Sequence, residues 1–159
     1  MFGHSRGGAI SVLKSNENNQ IDKVISWASP SNLISRLPDA DRARKWKDTN
    51  VVYVYNGRTK QNMPMFYQFY QNCLENIERL NMRKAIKEIN IPHLHIHGSL
   101  DPTVLIEDAL EMKRWNDKVN LEIINGADHV FGSSHPYNKN EFPLHLNKAL
   151  FKTLEFLKS

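Results

Sequence analysis

The chain has 159 residues, 40% hydrophobic and 24% charged, with a formal net charge of +4 and one cysteine. That composition supports one globular domain with an ordinary core, and the lone Cys73 excludes a disulfide framework and reads as a structural thiol. No apolar run reaches membrane-spanning length and the basic residues are spread along the chain, so neither a membrane nor a nucleic acid is an expected partner.

Gly3-His4-Ser5-Arg6-Gly7-Gly8 matches the nucleophile-elbow pattern G-x-S-x-G, in which a serine on a sharp strand-to-helix turn exposes its hydroxyl. Such a turn leaves little room for Cβ atoms beside the serine, the role expected of Gly3 and Gly7; Gly8 and Ala9 let the next helix pack close. A helix is predicted over 6–14 and a polar loop over 15–20. Residues 23–28, mostly apolar and closed by Ser29-Pro30, read as a buried parallel strand.

Residues 31–81 break this rhythm and read as a cap-like insertion above a sheet. Within it, 39–48 is expected to form a solvated helix after Pro38, and 51–55 a strand meeting the hairpin signal Asn56-Gly57. Pro64 is expected to open a helix over 65–80, whose apolar stripe (Phe66, Phe69, Tyr70, Cys73, Leu74, Ile77, Leu80) favours core over a ligand cage while remaining the candidate for shaping a substrate. The last third alternates again: helix 83–88, strand 92–97, helix 105–115, strand 119–124 and helix 140–157. The fold class is therefore α/β, with parallel strands and flanking helices.

In open α/β sheets reactive residues follow the carboxyl ends of strands. The loops at those places read Gly98-Ser99-Leu100-Asp101-Pro102 and Asn125-Gly126-Ala127-Asp128-His129. Ser5, Asp101 and His129, each after its own strand, stand in the chain order of the α/β-hydrolase triad. On the elbow, His97-Gly98-Ser99-Leu100-Asp101 and Gly126-Ala127-Asp128-His129, the chain resembles the C-terminal part of an α/β-hydrolase, similar to the peptidase- and esterase-like branch, over nearly all of its length. The resemblance implies Ser5 as nucleophile, Asp101 as acid and His129 as base, with the Arg6 backbone N–H as an oxyanion donor. It implies a serine hydrolase acting on a small-molecule or peptide-like ester, thioester or amide-like acyl bond, with no cofactor and no metal.

Competing readings of single residues are weaker. His93, His95 and His97 alternate on one strand at a spacing metal ligands share, yet no Cys/Asp/Glu set accompanies them, and a buried strand accounts for them. His135 rivals His129 as base, but it lies farther from its strand and precedes a proline. Ser5 and Asp101 could each be simple turn residues, and Asp128 a turn former. In the family, strands and a second oxyanion donor precede the elbow, which here stands at the start of the chain. The chain therefore reads as a fragment, with a non-catalytic remnant or interaction module as the alternative. Alone it is expected to be a poor catalyst, and to self-associate through the strand over 23–28, left as an open edge. No signal peptide precedes the elbow, so the default location is the cytoplasm unless upstream residues carry one.

Overall fold

The computed structural model describes residues 1–57 and 59–159. Four parallel strands, β1 (Phe2–His4), β2 (Val24–Trp27), β5 (His93–Gly98) and β6 (Asn120–Ile124), form one sheet in the order β1-β2-β5-β6. The hairpin β3 (Val51–Asn56) and β4 (Gln61–Phe66) forms a separate two-stranded sheet. Helices α1 (Arg6–Glu17), α2 (Ala40–Thr49), α3 (Tyr67–Glu75), α4 (Met82–Glu88), α5 (Ile106–Trp115) and α6 (Leu144–Lys158) complete the fold.

Every residue of β2 and β5 is buried, as expected of central strands in a covered parallel sheet, although β5 alternates histidines with Leu94 and Ile96. Alternation along the strands sends side chains to two cores. Val24 joins Ala9, Val12, Met82, Ile86 and Met112 on the face covered by α1, α4 and α5. Ile25, Trp27, Leu94 and Ile96 join Phe131 and Ala149 on the opposite face, under α6. By the same parity Ser26, His93, His95 and His97 fall on the first face. Trp27 Nε1 donates to Thr153 Oγ1 at 3.1 Å, which ties α6 to the sheet.

Several boundaries differ from expectation. Helix α1 continues to Glu17, beyond residue 14, because its end is held by other elements: Asn16 donates to the Ala85 carbonyl at 2.8 Å and Glu17 pairs with Arg79. Pro64 opens no helix. It sits inside β4 opposite Tyr53, since each strand of a two-stranded ribbon has an outward edge where a missing N–H costs no ladder bond. Helix α3 therefore begins only at Tyr67 and ends at Glu75, and none of its residues is buried, so its stripe is not core. Asn56 and Gln61 are the last hairpin partners, making the loop four residues long rather than a two-residue turn; Arg58 within it lies outside the described residues. Helix α6 starts at Leu144, after Pro143 in the capping position, later than residue 140.

The sheet edge also moves. Phe2–His4 form β1 and pair with Ile25–Trp27, so β2 is covered and the free edge belongs to β1. Phe2 there is 54% exposed, its ring packed edge-on against Trp27. The close approach of α1 to β1 rests on Gly3 and Gly8. A Cβ on Gly3 would overlap the Gly7 carbonyl, and one on Gly8 would stand 2.9 Å from the Ser29 Cβ. A Cβ on Gly7 meets nothing within 4 Å, so Gly7 is not the steric requirement the pattern suggested. Gly3→Ala should lower stability by about 3 kcal/mol or more, because the overlap is with backbone, whereas Gly7→Ala should be tolerated; thermal melts of the two variants test this.

Candidate active site

The site lies at the carboxyl ends of the parallel strands. Ser5 follows β1 directly, with φ 56° and ψ −126°, a backbone conformation that side-chain-bearing residues rarely adopt. Its N–H donates to the Trp27 carbonyl at 2.7 Å and its carbonyl accepts from Gly8 N at 2.9 Å, so the turn is fastened from both sides. The sharp reversal points the hydroxyl out of the sheet toward the loops after β5 and β6.

Those loops deliver the other two groups. His129 Nε2 lies 3.1 Å from Ser5 Oγ, and His129 Nδ1 lies 2.7 Å from Asp101 Oδ2. The Asp101 side chain is fully buried, and its second oxygen accepts from the Thr103 and Val104 backbone N–H groups at 2.8 and 2.9 Å. Because Asp101 accepts at Nδ1, the neutral imidazole carries its proton there and leaves Nε2 free to accept from the serine hydroxyl. The structure thus brings Ser5, His129 and Asp101 into one hydrogen-bonded line.

The His129 loop is itself braced. Asp128 Oδ1 accepts from Val130 N at 3.2 Å and Gly132 N at 2.7 Å, which makes it a loop former. His4 Nε2 donates to the His129 carbonyl at 2.7 Å, and the two rings stand 4.8 Å apart. His4 was not foreseen; its only sequence signal is its variable position in the elbow pattern. His135 is exposed and has no hydrogen bond to Ser5 or Asp101. Arg6 opens α1, and the intrahelical bonds begin only with Gly8 N, so the Arg6 N–H is one of the free donors at the helix start.

No family model matches the chain, and no curated protein matches it. Solved structures do match. Est1E from Butyrivibrio proteoclasticus superposes with a TM-score of 0.68 at 16% identity, covering 100% of this chain and 61% of that one. A monoacylglycerol lipase from Paleococcus ferrophilus gives 0.62 at 16% identity over 96% and 66%, and the esterase domain of a Rhodothermus marinus protein 0.54 at 19% over 84% and 53%. The chain carries part of an α/β-hydrolase fold. It spans between half and two thirds of the length of these neighbours.

One cleft opens beside Ser5 in this hydrolase fold, and a second adjoins it. The first, of about 370 Å³, is lined by Ser5, Arg6, Ile10, Leu33, Phe69 and Cys73 among others. The second, of about 400 Å³, runs under the hairpin past Arg42, Trp46, Val52 and Met65. Arg6, Arg36, Leu37 and Phe69 line both and form the ridge between them. Burial pushes the Cys73 thiol up, away from reactive thiolate character. Among the described residues no group of three or more His, Cys, Asp or Glu side chains is placed to hold a metal, and no helix is long and apolar enough to cross a membrane.

His93, His95 and His97 are fully buried beneath the Asp101 loop. Burial pushes His93 down to about 4 and His95 well below its usual range, the latter assisted by its two histidine neighbours. In the unfolded chain a histidine binds its proton near pH 6.5, so between pH 6.5 and about 4 the unfolded state holds more protons than the folded one. Stability is therefore full above pH 6.5 and should fall with pH through that window, by about 1.4 kcal/mol per pH unit for each such histidine. Urea midpoints between pH 7 and 4.5 should decline accordingly, and a flat profile would contradict neutral buried histidines.

Proposed function

We propose that this chain bears the reacting residues of a serine hydrolase that cleaves an acyl ester. The observation that carries the reading is the Ser5–His129–Asp101 line on a strained strand-to-helix turn. Ser5 Oγ attacks the acyl carbon while its proton passes to His129 Nε2. Asp101 holds the imidazole in the required tautomer and stabilises the imidazolium that forms. The carbonyl oxygen becomes an oxyanion, and the Arg6 N–H is the donor assigned to it. Collapse expels the alcohol, which takes the proton from His129 and leaves acyl-Ser5. Water then attacks the acyl carbon, giving its proton to His129, which returns it to Ser5 as the acid departs. Thioesters and peptide-like acyl bonds are open to the same sequence of steps. Ester cleavage is favoured because structural neighbours of the fold are esterases and a lipase, and one structure of Est1E holds ferulic acid.

The clefts support a substrate class. The first is largely apolar, which suits an aliphatic or aromatic acyl group. Among the described residues three arginines line the two clefts and no carboxylate does. Arg42 pairs with Asp39 and Arg36 lies 4.0 Å from Asp108, but among the described residues no carboxylate lies within ion-pair distance of Arg6, whose guanidinium stands 5.2 Å from the Phe69 ring centre. Arg6 and Arg36 on the ridge thus favour an ester bearing a negative group.

A fluorophosphonate probe should label the chain at Ser5, seen by mass spectrometry; Ser5→Ala should abolish labelling and His129→Ala slow it by roughly a thousandfold. An unlabelled wild-type chain would leave the alternative, an interaction module that keeps the hydrolase residues. Substrate charge is read separately, by calorimetry on Ser5→Ala: 3-phenylpropanoate should bind about tenfold more tightly than 3-phenylpropanol, and Arg36→Gln with Arg6→Gln should erase the difference. Equal binding of the two would remove the anionic class.

A further inference from the structure

Beneath the Asp101 loop the core holds a chain of four polar side chains where aliphatic residues would be ordinary. Ser26, His93, His95 and His97 are each at most 1% exposed. His93 Nε2 lies 2.8 Å from Ser26 Oγ, and Ser26 Oγ 2.8 Å from His95 Nδ1. His95 Nε2 is 3.1 Å from His97 Nδ1, and His97 Nε2 is 2.9 Å from the Val104 carbonyl.

Chemistry fixes every proton in this chain from its far end. A carbonyl only accepts, so His97 must carry its proton on Nε2 and present a bare Nδ1. His95 must then donate from Nε2, which leaves its Nδ1 bare to accept the Ser26 hydroxyl proton. Ser26 Oγ in turn accepts from His93 Nε2–H. The atom left over is His93 Nδ1, which is the one buried side-chain polar atom without a partner among the described residues. All the bonds run one way, toward Val104, and no ring can change tautomer without opposing its neighbour.

The end of the chain meets the site. His97 Nε2 is also 3.6 Å from Asp101 Oδ2, the oxygen that faces His129. Val104 is gripped at both backbone groups: its carbonyl accepts from His97 and its N–H donates to Asp101 Oδ1. In the opposite tautomer, His97 would turn a lone pair toward both the Val104 carbonyl and the carboxylate. We propose that His97 is a positioning residue for Asp101. Through Val104 and its own Nε2–H it sets the direction in which Oδ2 meets His129 Nδ1, with His95, Ser26 and His93 locking its tautomer. The inference rests on the hydrolase reading only for its effect on rate; the geometry it describes stands without turnover.

The test begins on the wild-type chain with ¹⁵N-labelled histidine, where long-range nitrogen–proton spectra should show His93, His95 and His97 protonated on Nε2. A His97 protonated on Nδ1 would overturn the proposal. The second readout is the far-downfield proton of the His129–Asp101 hydrogen bond, identified by its loss in Asp101→Asn. His97→Leu should shift or lose that proton and slow fluorophosphonate labelling of Ser5 roughly tenfold, the scale a small misplacement costs. His97→Gln, which restores a donor at the same reach, should recover both. If His97→Leu does not fold, Ser26→Ala serves instead. It leaves the His97 ring in place but unlocks the chain, and should alter the histidine tautomer pattern and the downfield proton. An unchanged downfield proton in whichever of these variants is folded would sink the proposal. A wild-type chain that is not labelled at all, yet loses that proton in His97→Leu, would refute the hydrolase reading and keep the positioning role.

Discussion

The structure turns on one strained peptide, the backbone of Ser5. At φ 56° a side-chain-bearing residue costs on the order of 1–3 kcal/mol, and it persists only where its surroundings leave no alternative. Here the surroundings are specific: β1 pairs with β2, Ser5 N is tied to Trp27 O, and Gly3 lets α1 turn back against the strand. The buried β2 is therefore less a spacer than an anvil on which the turn is formed. The same strand supplies Ser26 to the histidine chain and Trp27 to the opposite core. One four-residue strand thus serves the elbow, the Asp101 loop and the docking of α6.

The unit formed by α2, the β3–β4 hairpin and α3 is held together differently. Trp46 is nearly the whole of its core, carried on α2 and buried against the hairpin and α3, with Nε1 donating to the Met65 carbonyl at 2.9 Å and its ring facing Tyr67 and Tyr70. Few apolar contacts and a wide exposed aromatic surface, including Tyr53, Tyr55 and Phe66, place this unit at the less stable end of the molecule. That is where the wall of a cleft can reshape without disturbing the sheet. Phe69 and Cys73, half-buried on α3, line the first cleft.

Much of the sheet was legible because β2 reads as a short apolar run, β5 and β6 recur in alternation with helices, and reactive residues follow such strands. Ser5, Asp101 and His129 were each readable from a local pattern, and the structure places them within hydrogen-bond reach of one another. What escaped were features set by distant partners. Pro64 looked like a helix start because a proline's tolerance for a ribbon edge depends on strand pairing, which the local sequence does not display. Residues 15–17 looked like a loop because Asn16 and Glu17 find their partners about seventy and sixty residues away. The alternation of the three histidines is visible in the sequence, but Ser26 and Val104, which give them their order, come from another strand and another loop.

That last omission bears on why the core tolerates such a chain at all. Apolar residues of similar volume would fill the same space without leaving His93 Nδ1 unpartnered, and buried polar groups that are incompletely satisfied cost stability. An aliphatic core, however, has no direction. It would hold the Asp101 loop at the right depth while leaving the aim of Oδ2 to the Thr103 and Val104 N–H bonds on the other oxygen alone. A one-way line of hydrogen bonds adds orientation, because each ring can donate only where the next can accept. The strained turn at one end of the site and the directed histidines at the other therefore do complementary work. The turn fixes where the serine hydroxyl stands, and the histidine chain fixes how the carboxylate faces the imidazole that joins them.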